Sequence, residues 1–149
     1  MGLDGRGVST RMGWHLIVSN ELVGHWVAEK IGSGYFAPRS NAIGLIKDNN
    51  LIAGVIYENW NRRSIMCHIA VEGRLTKSYI GAIFNYPFNV CNVEKIIVPV
   101  ESHNWKSVKL IENMGFTEEA RIKDCQPNGD TILYTMTKGN CRFLGDRYG

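Results

Sequence analysis

The sequence predicts a mixed α/β domain built on one mostly antiparallel sheet. Three observations carry this. First, three β-rich runs follow one another at 42–47, 51–59 and 64–71, separated by the turn signals Asp48-Asn49-Asn50 and Asn61-Arg62-Arg63. Such spacing reads as an antiparallel meander. Second, the β-branched run 95–100 is followed by a polar turn, a short amphipathic segment at 105–114 and a glycine stop at Gly115. Third, runs 116–123 and 131–138 flank Gln126-Pro127-Asn128-Gly129-Asp130, which reads as a closing hairpin.

The elements follow in order. Residues 1–11 are glycine-rich without periodicity and read as a loose arm. A short strand at 14–18 precedes a helix capped by Ser19 or Asn20. That helix carries Leu22, Val23, Trp26, Val27 and Ile31 on one face and stops at Gly32. Loop 32–41 holds Tyr35, Phe36, Pro38 and Arg39. Aromatic residues in a loop suit a pocket wall or a packed lid. After the meander, Thr76 caps a helix through Tyr79, Ile80, Ile83 and Phe84. Either Pro87 kinks that helix, or the helix ends near Tyr86 and a second turn follows. In segment 105–114, Val108, Ile111 and Met114 fall three apart beside Leu110 and form one apolar face. Gly115 stands where a helix end needs positive φ.

At 149 residues the chain suits one domain, read as 12–149 behind the 1–11 arm. No apolar run reaches membrane-spanning length, and no signal peptide is visible. The four cysteines form no CxxC and no cluster with histidine, so no metal site is expected. Cys67 and Cys91 lie in apolar segments and read as reduced core residues, which fits a cytoplasmic protein. The net charge of +3 is mild and scattered; it suits an anionic cofactor and neither requires nor excludes nucleic acid.

Asn104, Ser107, the apolar helix, Gly115-Phe116 and Glu119 together resemble the second signature of the GNAT acetyltransferase superfamily. The continuation Glu118-Glu119-Ala120-Arg121 is most similar to the branch of ribosomal-protein acetylases and phage-encoded relatives. The resemblance spans roughly residues 14–144. It implies a sheet whose central parallel strands, 64–71 and 95–100, splay apart to admit acetyl-CoA. Ile69, Ala70 and Val71 would pair with the pantetheine arm, which Asn104 and Ser107 would also contact. Gly73, Arg74, Leu75, Thr76 and Lys77 would cradle the pyrophosphate at a helix N-terminus, where open N–H groups and the helix dipole favour an anion. This turn departs from the family pattern: it has one glycine, in a shifted place. Taken alone, Gly73 also reads as an ordinary strand-to-helix turn, and Asn104 as a plain helix cap.

Amine acetylation needs a group to take a proton from the attacking amine. His68, on the central strand, is the first choice, with a buried hydrogen-bonded histidine as the other reading. Glu72 and Glu101, at the ends of the two splayed strands, come next; solvated strand ends are the alternative. His103 stands beside Asn104 and could touch either ligand, while His15 and His25 read as structural or surface. Tyr35 and Phe36 are the better candidates for acceptor contact, with Trp26, Tyr57 and Trp60 as pocket wall or core. Many family members place a tyrosine acid where this chain has Ile111. The resemblance implies an acetyl-CoA-dependent N-acetyltransferase that transfers directly to a primary amine on a small molecule or protein. Two alternatives stay open. One is a phage-type acyl-CoA-using nucleobase modifier, with Arg39, Arg62, Arg63 and Arg74 near phosphate; the other is a silent acyl-CoA-binding module. Either a monomer or a homodimer is compatible with the sequence.

Overall fold

The computed structural model describes residues 13–31 and 40–148. The 1–11 arm, Gly32, Tyr35 and Phe36 lie outside these residues. The elements run β1 (Trp14–Ile17), α1 (Asn20–Ile31), β2 (Ser40–Lys47), β3 (Asn50–Glu58), β4 (Ser64–Val71), α2 (Lys77–Asn85), β5 (Lys95–Glu101), α3 (Trp105–Met114), β6 (Thr117–Gln126) and β7 (Gly129–Thr137). One seven-stranded sheet results, in the order β1-β2-β3-β4-β5-β7-β6. Among the described strands only β4 and β5 are parallel; every other neighbouring pair is antiparallel. The mixed sheet with a central parallel pair is therefore present. The last hairpin is tighter than expected. Strand pairing reaches Gln126↔Gly129, so Pro127-Asn128 alone form the turn.

The turns follow from residue chemistry. Asp48 and Asn49 adopt φ of 51° and 67°, the left-handed pair that matches strand twist in a two-residue hairpin. Asn61 Oδ1 accepts from the N–H groups of Arg63 and Ser64 and closes the β3–β4 turn.

The helices pack on both faces. α1 lies on Gly44 and Gly54, which pair across β2 and β3. Side chains there would collide with Val23 and Val27, so the glycines permit close approach. The Ser19 hydroxyl caps α1 by accepting from Leu22 N–H. α2 and α3 cover the other face, where Tyr79, Ile83, Phe84, Ile111 and Met114 join the larger core. Of the two readings for Pro87, the second holds: the α-helix stops at Asn85 beside Tyr86, and the turn that follows, Tyr86–Val90, is a π turn. α3 ends in Gly115 at φ 103°, with Gly115 N–H bonded to Glu112 C=O and Phe116 N–H to Ile111 C=O. No described helix is long and apolar enough to cross a membrane.

Candidate active site in the sheet wedge

The parallel pairing of β4 with β5 lasts three residues, Ser64↔Lys95, Ile65↔Ile96 and Met66↔Ile97, and then stops. Both strands continue, β4 held by β3 to Val71 and β5 held by β7 to Glu101. A wedge therefore opens between them. Pro99 supplies a cause. The β5–β7 ladder runs through Pro99↔Leu133 without a break, so the missing N–H of Pro99 falls on the side of β4. The position where the parallel ladder would next need that donor has none.

Strand alternation decides which groups of β4 face the wedge. Glu72 N–H donates to Ile52 C=O on β3. Bonded pairs recur every second residue of an antiparallel ladder, so Ala70 and His68 also direct their N–H groups to β3. Ile69 and Val71 direct theirs into the wedge. This corrects one expectation: the backbone of Ala70 belongs to the β3 ladder, and its side chain packs in the core beneath α1.

Two cavities lie along the opening. The inner, about 290 Å³, is lined by His68, Ile69, Pro99, Glu101, Ile111 and Thr131, among others. The outer, about 480 Å³, is lined by Lys30, Ala70, Val71, Glu72 and the exposed side of α3. Ile31, Ile69, Asn104 and Ser107 line both, so the two form one continuous groove. Ile111 is 2% exposed and presents only hydrocarbon to it.

His68 is half-buried, and its Nε2 lies 2.7 Å from Glu58 Oε1. A carboxylate can only accept, so Nε2 carries the proton and Nδ1 is left as the acceptor. Glu58 escaped the sequence reading. Its signal lay in register: the Asn61–Arg63 turn sets Glu58 opposite Met66, which makes His68 its diagonal same-face neighbour.

The other expected residues separate. Glu101 lines the inner cavity and lies 3.3 Å from His103 Nε2, while His103 itself is exposed. Glu72 is not beside His68. It lines the outer groove and pairs with Lys30 at 2.7 Å, which holds the Lys30 ammonium above its ordinary pKa. Asn104 caps α3, its Oδ1 accepting from Ser107 N–H at 3.3 Å. Its side-chain NH₂ takes no part in that cap. Gly73 to Lys77 form the turn from β4 into α2. Thr76 Oγ1 accepts from Tyr79 N–H and Thr76 C=O from Ile80 N–H, so the open helix-start donors are those of Lys77 and Ser78. Gly73 has no positive φ; a side chain there would press on Ile52. Tyr57 and Trp60 do not wall the wedge. Both line a separate cavity, and Tyr57 is buried with its hydroxyl donating to Ile83 C=O. All four cysteines are unbridged, with Cys67 buried. Among the described residues no cluster of histidine, cysteine and carboxylates could hold a metal ion.

No protein-family model and no curated protein matches the chain. Solved structures do. A spermidine/spermine N-acetyltransferase from Vibrio cholerae superposes with a TM-score of 0.66 at 18% identity, over 85% of this chain and 95% of that one. A ribosomal-protein-S5-alanine acetyltransferase from Vibrio fischeri gives 0.57 at 17% identity, over 72% and 66%. A structure described as a probable acetyltransferase gives 0.61 at 15% identity, over 84% and 94%. At these identities the likeness shows the fold, which is that of the GNAT acetyltransferases.

Proposed function

We propose that this chain is an acetyl-CoA-dependent N-acetyltransferase whose acceptor is a primary amine. The observation that carries the proposal is the interrupted β4–β5 ladder, with His68 on its wall. The unpaired amides of Ile69 and Val71 fit the group, because a pantetheine arm carries amides that can take the place of the missing strand. Those two residues, with Asn104 and Ser107, would hold the arm. The turn from Gly73 to Lys77 would hold the pyrophosphate through the open N–H groups of Lys77 and Ser78 and the charges of Arg74 and Lys77. When bound, acetyl-CoA supplies an acyl group activated as a thioester.

The chain's own residues do the rest. His68 Nδ1 takes a proton from the amine, and the resulting imidazolium is stabilised by Glu58 at 2.7 Å. Glu58 also fixes the ring's orientation. Glu101, in the same cavity, offers a carboxylate that attracts a cationic acceptor. The Ile69 N–H points into the wedge, where it can donate to an oxygen that gains charge. Ile111 offers no proton, so any proton returned to a leaving thiolate comes from solvent or from His68.

That same Ile111 favours a second reading, a module that binds acyl-CoA without turning it over. A free-thiol assay over a panel of polyamines, aminoglycosides and peptide N-termini separates the two. Acetyl-CoA-dependent thiol release with at least one amine supports the enzyme. CoA binding with no release over the whole panel selects the silent module, and no binding at all sinks both.

A further inference from the structure

A second cavity, about 540 Å³, lies at the paired end of β4 and β5, away from the wedge. Four features distinguish it. Trp60 stands at its mouth, 52% exposed, with its ring fixed by a bond from Nε1 to Cys91 C=O at 3.1 Å. Tyr86 forms another aromatic wall, and its hydroxyl is held by Asn41 at 2.6 Å. Tyr86 opens the π turn, a local irregularity that recurs at functional sites. Finally, the lips of the cavity carry three non-glycine residues at positive φ: Asn59 (58°), Arg62 (75°) and Asn92 (55°). Asparagine adopts left-handed backbone readily, so the uncommon one of the three is Arg62, in the turn that Asn61 closes.

The chemistry selects a ligand class. The Glu58 carboxylate, also on the lining, accepts from His68 Nε2 through Oε1 and keeps its negative charge, so an anionic group of a ligand is assigned to Arg62 and not to the Glu58 wall. The charge presented at the mouth is the Arg62 guanidinium, for which no ion pair occurs among the described residues. Trp60 and Tyr86 offer planar faces, and the Asn59 and Asn92 side chains offer paired donors and acceptors of the kind that read a heterocycle edge. We infer that this cavity binds a nucleotide, with the base stacked on Trp60 and Tyr86 and the phosphate on Arg62. The volume falls in the range of small-molecule sites. This cavity needs no acetyl-CoA to be occupied, although Glu58 joins it to the wedge by lining it while holding His68.

The test titrates the full chain with AMP, with CMP and with 5′-phosphorylated hexathymidylate, followed by calorimetry, with and without excess CoA. Excess CoA excludes its own adenosine as the occupant. One nucleotide site per chain, insensitive to CoA, is expected. Trp60→Ala should weaken it about tenfold or more, the scale of losing one base–aromatic stack. Arg62→Ala should weaken it and flatten its salt dependence by about one charge. Equal affinity for mononucleotide and hexamer assigns the site to free nucleotides; a hexamer bound at least tenfold tighter assigns it to a single strand. Circular dichroism verifies each variant's fold, and if Trp60→Ala unfolds, Arg62→Ala and Trp60→Phe carry the test. Failure of all three ligands to bind overturns the inference. So does inorganic phosphate binding as tightly as AMP, or full affinity in both Trp60→Ala and Arg62→Ala.

Discussion

Gly54→Ala is expected to damage both stability and cofactor affinity, although Gly54 touches neither cavity. A Cβ at Gly54 would lie 2.6 Å from Val27 Cγ2 and 3.0 Å from Val23 Cγ1, against an ordinary contact of 3.4–4 Å. Both valines are fully buried, so neither can swing into solvent. α1 must lift by most of an ångström, or the valines must leave their rotamers. Overpacking of this kind costs roughly 1–3 kcal/mol. For a domain of this size that lowers Tm by roughly 3–10 °C. The lift also moves the end of α1, where Lys30 and Ile31 line the groove, so CoA should bind several-fold more weakly. Thermal unfolding and calorimetry measure the two effects. Gly139→Ala, where a Cβ meets open space, is the control and should change neither. Adding Val27→Ala to Gly54→Ala should cost less than the sum of the single changes, since the added methyl fills the space vacated. An unchanged Tm and unchanged affinity in Gly54→Ala would refute the claim that close helix–sheet approach shapes the groove.

Further outcomes are expected. His68→Ala should lower turnover about 10²- to 10⁴-fold with CoA affinity intact; unchanged turnover removes His68 from proton transfer, and Glu58→Gln should lower turnover less than His68→Ala while leaving CoA affinity alone. Asn104→Ala should weaken CoA binding, and an unaltered dissociation constant in a folded variant would reduce Asn104 to a cap. Pro99→Val returns an N–H to the side facing β4, so it should raise Tm while weakening CoA binding; a tighter complex would contradict the role given to Pro99. Stability should fall as pH rises from 10 towards 12. Burial, and then the bond it donates to Glu112, pushes Tyr134 up to about 12, and burial pushes Tyr86 to about 12. Both unfolded phenols titrate near 10, so the unfolded state loses its protons first over that window. Tyr134→Phe should flatten the decline, as seen by denaturant midpoint against pH.

Much of the fold was legible because its signals are local. Asp48-Asn49 had to turn left-handed, Gly115 had to end a helix, and the β-branched runs marked β4 and β5. The site was legible only in part, because its decisive features depend on register. Which of Ile69 and Ala70 faces the wedge is set by β3, a strand whose pairing no local pattern fixes to the residue. Glu58 became the partner of His68 through the same register. Pro99 argues against a central strand when read alone, yet here its missing donor is part of the design. Glu72 stood at the expected strand end, but Lys30 from α1, far away in sequence, draws it to the outer groove. The second cavity joins the β3–β4 turn, the π turn and the loop before β5, and no one of these discloses it. Gly44 and Gly54 did carry a readable sign of close backbone approach, visible as glycines inside strand patterns.

Residue-resolved hydrogen exchange with and without coenzyme A addresses the wedge itself. The amides of Ile69 and Val71 should exchange quickly in the free chain and become protected when CoA is added, while Ala70, already bonded to β3, should be slow in both states. If Ile69 and Val71 are equally protected without CoA, or gain no protection with it, the gap between β4 and β5 does not receive the cofactor.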